Sequence, residues 1–172
     1  MKKALPRRPP SPFTGREFGI LLHPSSFFNR EDVGTLGRTA YAFVDWLGAC
    51  GATLWQILPL TPNGQYDSPY FSYSAFAGNP WLIDLEQLAE VGLLDSPPLY
   101  PEPRDHRVPF GELSTRKLPV LLEAARRLLA SPSHPWRPAL AAFCEEQAWR
   151  TDTCHFYALK EVPHGRIQQV LF

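Results

Sequence analysis

Two short apolar runs, with a helix-patterned stretch between them, constrain this chain more than any other feature of its sequence. Phe18-Gly19-Ile20-Leu21-Leu22-His23 has no polar alternation, so it reads as a strand covered on both faces. Thr35 can cap a helix running to about Cys50, with Leu36, Ala40, Phe43, Val44 and Leu47 on one face. Gly51 stands where a helix stop is expected. Thr53 to Leu58 then reads as a second buried strand. Strand, helix, strand makes a βαβ unit, in which the two strands lie parallel with a right-handed crossover.

Beyond Pro80 the pattern turns helical. Asp84 followed by Gln87 predicts a capped short helix ending near Gly92, and residues 95–112 are proline-rich and read as a loop. Leu118, Leu121, Leu122, Ala125, Leu128 and Leu129 mark a helix ending near Ala130, with Pro119 in its first turn or kinking it. Residues 131–138 read as a turn. Pro138 opens a last helical stretch to about Glu161, with a break expected near Thr151. No third buried strand follows. Two parallel strands alone have open edges and too little core to stand, so the sequence reads as the beginning of something larger.

Composition sharpens this by exclusion. Seventeen basic and seventeen acidic side chains cancel, with no basic stripe for nucleic acid or an anionic membrane. The prolines at 6, 9, 10 and 12 break the opening, so residues 1–15 read as a solvated lead-in rather than a signal peptide. No run of eighteen apolar residues is present, and no membrane span is expected. Cys50, Cys144 and Cys154 are odd in number and without CxxC spacing, which predicts reduced, structural thiols in a cytoplasmic setting and no zinc site.

The second apolar run opens into Asp67-Ser68-Pro69-Tyr70-Phe71-Ser72-Tyr73-Ser74-Ala75-Phe76-Ala77-Gly78-Asn79-Pro80. Hydroxyls, amides and aromatic rings together suit a sugar, whose hydroxyls need hydrogen-bonding partners and whose C–H faces pack on rings. In parallel α/β architectures ligands sit beyond the carboxyl ends of strands, where this loop leaves. Tyr70 is the candidate platform for a sugar ring, Ser68 a hydroxyl partner, and Asp67 the single acid of the loop. The residues alone leave another reading open, an ordinary turn held by local hydrogen bonds, with Asp67 accepting backbone N–H groups.

Longer stretches resemble the amylomaltases, the 4-alpha-glucanotransferases of glycoside hydrolase family 77. Gly19-Ile20-Leu21-Leu22-His23-Pro24-Ser25-Ser26 is similar to their first-strand motif, Gly34-Thr35-Leu36-Gly37 to a helix start, and Trp55-Gln56-Ile57-Leu58-Pro59-Leu60 to their second strand. Asp67-Ser68-Pro69-Tyr70 with Ser74-Ala75-Phe76-Ala77-Gly78-Asn79-Pro80 resembles their signature loop, and Phe156-Tyr157-Ala158-Leu159-Lys160 a later helix. Similarity is dense over residues 17–94, thin over 95–140, and returns over 141–165.

The resemblance implies an α/β fold, the N-terminal portion of a (β/α)8 TIM barrel. Strands at about 18–23 and 53–58 would be its first two, a helical insertion would span about 80–165, and residues 16–172 would form an incomplete barrel domain. It implies retaining transfer of α-1,4-glucan segments to a new 4-hydroxyl through a covalent glycosyl-enzyme, with a carboxylic acid serving as acid and then base. It implies no metal and no organic cofactor, and a maltooligosaccharide or α-1,4-glucan as substrate. The family tyrosine matching Tyr70 lines the donor site, and Ser68 matches a serine beside the bound sugar.

The family's catalytic carboxylates come from later strands and have no counterpart here, so the chain alone is expected to be inactive. The resemblance implies the missing C-terminal part of the barrel as a partner. Two departures stand out. Tyr66 lies one place later than the tyrosine of many relatives, and after Gly165 the sequence turns away from the pattern, as truncation or a shifted reading frame would make it. Local acids make poor substitutes: Glu145 and Glu146 diverge on a helix, while Asp45 and Asp84 suit solvated or capping roles. His23, His106, His134, His155 and His164 show no metal-ligand spacing, and His23 is read as packed or bonded to backbone. The rival readings are a non-catalytic glucan-binding accessory protein and a truncated reading frame without function.

Overall fold

The structure is a computed structural model that describes residues 15–98, 100 and 107–161. The strand–helix–strand unit is present: β1 (Gly19–Leu21), α1 (Arg38–Ala49) and β2 (Leu54–Gln56), with β1 and β2 parallel and Ile20 opposite Trp55. Gly19 lets the strands approach, since a Cβ there would overlap Leu54. Both strands are shorter than the apolar runs and are covered on one face only. Ile20 and Trp55 are half-buried, whereas Leu21 and Leu54 face outward and are exposed. The inner face is packed by α1, where Phe43 lies 5.2 Å from Phe27 and 5.3 Å from Trp55, ring centre to ring centre. The Trp55 indole N–H donates to the Leu22 carbonyl at 2.8 Å.

The first helix begins at Arg38, not after Thr35, and Gly37 occupies its N-cap without a side-chain bond. The reason lies in a distant carboxylate. Thr35 donates its hydroxyl to Asp84 Oδ2 at 2.6 Å, and a Cβ on Gly37 would overlap that same carboxylate. At its other end α1 stops as expected, with Gly51 at φ +75°. Ala40 and Leu47 are buried, but Leu36 and Val44 are exposed.

The best-developed core lies in the helical part. The helix α2 (Leu85–Glu90) is capped by Asp84, whose Oδ1 accepts from Gln87 N at 2.9 Å, and it is followed by Gly92 at φ +79°. Against it packs α3 (Phe110–Ala130), burying Leu85, Leu88, Leu93, Leu94, Leu121 and Ala124 together. This helix starts eight residues before Leu118, so Pro119 falls inside it rather than in its first turn. Its buried face also includes Leu113 and Lys117, and a charged residue at a core position hid that turn from the apolar pattern. Two more helices follow, α4 (Arg137–Glu146) and α5 (Trp149–Glu161). The expected break at Thr151 falls instead at Gln147, which leaves helical geometry and accepts the Trp149 indole N–H at 2.8 Å.

The cysteines are free but are not core residues: Cys50 ends α1 and is exposed, as is Cys154, while Cys144 is half-buried. Among the described residues no helix is long and apolar enough to cross a membrane, and no cluster of three metal-ligating side chains occurs. Residues 1–14 of the lead-in, His106, His164 and the final residues 162–172 lie outside the described set.

Candidate functional site

The loop over residues 67–80 leaves β2 through Ile57-Leu58-Pro59-Leu60 and returns at Trp81. Its backbone is pinned by side-chain amides. Asn63 Nδ2 donates to the Asp67 carbonyl at 2.9 Å, and Asn79 Nδ2 donates to Asn63 Oδ1 at 2.9 Å. Asn79 Oδ1 accepts from Trp81 N at 3.0 Å, while Asn79 N donates to the Leu60 carbonyl at 2.8 Å. Gly64 is required here, because a Cβ on it would strike the Phe71 carbonyl. Serine hydroxyls hold the turns: Ser68 Oγ accepts from Tyr70 N at 3.3 Å, and Ser74 Oγ accepts from Ala77 N at 3.1 Å.

The rings, by contrast, face outward. Tyr70 is 73 % exposed and Phe76 72 %, with Phe71 and Tyr73 also exposed. One flank of the loop rests on the last helices, where Phe76 stacks on Trp149 at 6.4 Å and Tyr73 lies 5.3 Å from Phe156. Burial raises the Tyr157 phenol beside Tyr73, keeping it neutral. The combination of a fixed backbone and open aromatic faces is what a stacking platform requires.

Each residue singled out from sequence has a place in this arrangement. Tyr70 presents its ring, and Ser68 is half-buried beside it with its hydroxyl used locally. Asp67 is exposed, at φ +56°, following Tyr66 at φ +64°. Its turn role is carried by backbone: the carbonyl accepts from Asn63, and aspartate tolerates the left-handed region. Its carboxylate has no hydrogen-bond partner among the described residues, so the turn-capping reading of that side chain does not hold. Tyr66 points out, 85 % exposed.

His23 closes the other strand. Its Nδ1 accepts from the Ser25 amide at 3.2 Å and the Ser25 hydroxyl at 2.8 Å, while Nε2 donates to the Pro59 carbonyl at 3.4 Å. This cross-strand tie is a backbone role, and burial pushes the imidazole below its ordinary value. Sequence reasoning passed over Asn63 and Asn79, which fix the loop; for Asn79 the signal was its Asx-type spacing to Trp81.

With this geometry in hand, comparison with known proteins is decisive. Residues 22–169 match glycoside hydrolase family 77, described as 4-alpha-glucanotransferase. The chain belongs to this family. It is 48% identical over 152 residues to the 4-alpha-glucanotransferase of Thermus thermophilus, covering 87% of this chain and 30% of that protein. The chloroplastic/amyloplastic 4-alpha-glucanotransferase of Solanum tuberosum is 40% identical over 163 residues, covering 90% and 28%. In three dimensions the chain is similar to the amylomaltase from Streptococcus agalactiae in complex with acarbose, with TM-score 0.77 and 37% identity, over 86% of this chain and 30% of that one. The family 77 match thus spans about 30% of the length of these relatives. Among the described residues the chain is a mixed α/β unit of two parallel strands and five α-helices, and it matches part of that amylomaltase in structure.

Proposed function

We propose that this chain forms the N-terminal part of a 4-alpha-glucanotransferase barrel domain over residues 16–172. In this reading β1 and β2 are the first two strands of a (β/α)8 barrel, and residues 80–165 form its helical insertion. The loop over 67–80 is one wall of the donor-sugar site, with the Tyr70 ring as platform and Ser68 and Asp67 as polar partners. The substrate is an α-1,4-glucan or maltooligosaccharide. The observation that carries this reading is the loop leaving the carboxyl end of β2 with a pinned backbone and the Tyr70 ring exposed. The acarbose held by a relative supports the ligand class. Unpaired cysteines support a cytoplasmic setting.

The bond-breaking step is assigned elsewhere. Retaining transfer needs two carboxyl groups about 5 Å apart across the scissile bond, one a nucleophile and the other an acid and then a base. The loop has one acid, Asp67, so these residues bind and orient the glucan rather than cleave it. The test is incubation of the purified 172-residue chain with maltotriose. Saturable binding without glucose release is the expected result. Release of glucose with longer maltooligosaccharides contradicts the division of labour, and absence of binding contradicts the loop's role.

A further inference from the structure

Among the described residues, the largest fully buried side chain is a lysine. Lys117 of α3 is fully buried, and its Nζ donates to Glu31 Oε2 at 2.8 Å and to the Trp81 carbonyl at 2.9 Å. Glu31 is itself buried and accepts from Leu85 N at 2.9 Å through its other oxygen. An ammonium in such a place costs free energy, and an apolar side chain would fill the space without that cost. What the lysine adds is direction. It satisfies the Trp81 carbonyl, and Trp81 is where the loop over 67–80 rejoins the body of the fold.

On the other side of the Trp81 Cα, its own N–H starts a polar chain that runs back to the candidate site. Trp81 N donates to Asn79 Oδ1 at 3.0 Å, Asn79 Nδ2 to Asn63 Oδ1 at 2.9 Å, and Asn63 Nδ2 to the Asp67 carbonyl at 2.9 Å. Each side-chain amide accepts with its oxygen and donates with its nitrogen, so the polarity is consistent from the Trp81 N–H to the Asp67 carbonyl, and the Trp81 backbone joins that run to the lysine. Next door, Arg116 pairs with the buried Asp32 at 2.7 Å, so successive residues of α3 grip successive acids of the loop after β1.

We propose that Lys117 is a positioning residue for the Asp67–Tyr70 turn, acting through Trp81, Asn79 and Asn63 without touching the ligand. The helical part would then set how the aromatic loop is presented, rather than merely covering the fold. The functional meaning of this inference rests on the glucan reading of the loop. Its physical content does not.

The test uses the full 172-residue chain with Lys117→Met, Asn63→Ala and the double variant, read by amide hydrogen exchange. The amides to watch are Tyr70 and Phe71, which bond to Ser68 Oγ and the Ser68 carbonyl, against control amides in α4 and α5. Each single variant is expected to speed exchange at Tyr70 and Phe71 about tenfold relative to the controls, with the double no faster than the faster single. A lysine that only holds the core together would speed all amides alike, and that result overturns the proposal. So does a double variant whose effect is the product of the singles. If Lys117→Met does not fold, Glu31→Gln is the deciding variant, because it keeps the shape but removes the charge that holds the ammonium. Unchanged Tyr70 and Phe71 exchange in Glu31→Gln then overturns it. Maltotriose binding is measured on the same samples. An unsubstituted chain that binds none overturns the glucan reading, and the exchange pattern tells that failure apart from failure of the positioning.

Discussion

The two halves of this molecule treat apolar residues in opposite ways. Around α2 and α3, the leucines at 85, 88, 93, 94 and 121 are packed together and buried. Around β1, α1 and β2, Phe18, Leu21, Tyr41, Val44, Trp46, Leu54 and Ile57 are exposed, although their pattern is no less apolar. The cluster between α2 and α3 is closed, although Leu122 and Leu129 on the outer side of α3 are exposed. The strand half has one packed face, held by Phe27, Phe43 and Trp55, and one open face. Hydrophobic pattern therefore reports where a side chain is suited to go, and burial depends on what is present to receive it.

The sharpest way to test this contrast is at the buried ion pair that joins the halves. Glu31→Ala leaves the Lys117 ammonium without its partner, and the expected loss is about 4 kcal/mol in a denaturant titration. Replacing both with apolar residues of similar size is expected to recover most of that. Within the helical core, Leu85→Ala removes a fully buried side chain and is expected to cost about 3 kcal/mol. On the open face, Val44→Ser is expected to change stability by no more than about 0.5 kcal/mol, and a large loss there would show that the face is covered in solution.

A pH dependence follows from His23. Burial lowers its pKa from the ordinary 6.5, so the folded state holds the proton less tightly than the unfolded chain. The stability it contributes is present above pH 6.5 and is lost as pH falls through the lowered folded value. The structural reason is direct: a protonated Nδ1 cannot accept from the Ser25 amide. The melting temperature is expected to decline below pH 6.5, and His23→Gln is expected to flatten that decline. At the smallest scale, Arg127 lowers the Asp95 carboxyl through paired hydrogen bonds at 2.8 and 2.9 Å. Asp95 is solvent-exposed, so Asp95→Asn is expected to leave the melt nearly unchanged in moderate salt.

Much of this was legible in the residues. The Gly51 stop and the Asp84 cap with its Gly92 end follow from local chemistry that acts within a few positions, and the parallel strands follow from the strand–helix–strand order. The start of α1 was not, because Thr35 serves Asp84, forty-nine residues away, instead of the nearby helix. The first turns of α3 were hidden by Lys117, whose core position makes sense only beside Glu31. At the candidate site, Tyr70 and Ser68 stood out by type and placement. Asn63 and Asn79 did not, since their role is to bond one another across sixteen residues. Local rules reveal elements and their ends; long-range polar partners appear only once the chain is folded.

The direct trial of the whole account is calorimetric titration of maltotriose into the purified chain and into Tyr70→Ala. A saturable heat in the first, weakened about tenfold by the loss of the ring, is the expected outcome. Equal heats in both, or none in either, would contradict a glucan wall built on Tyr70.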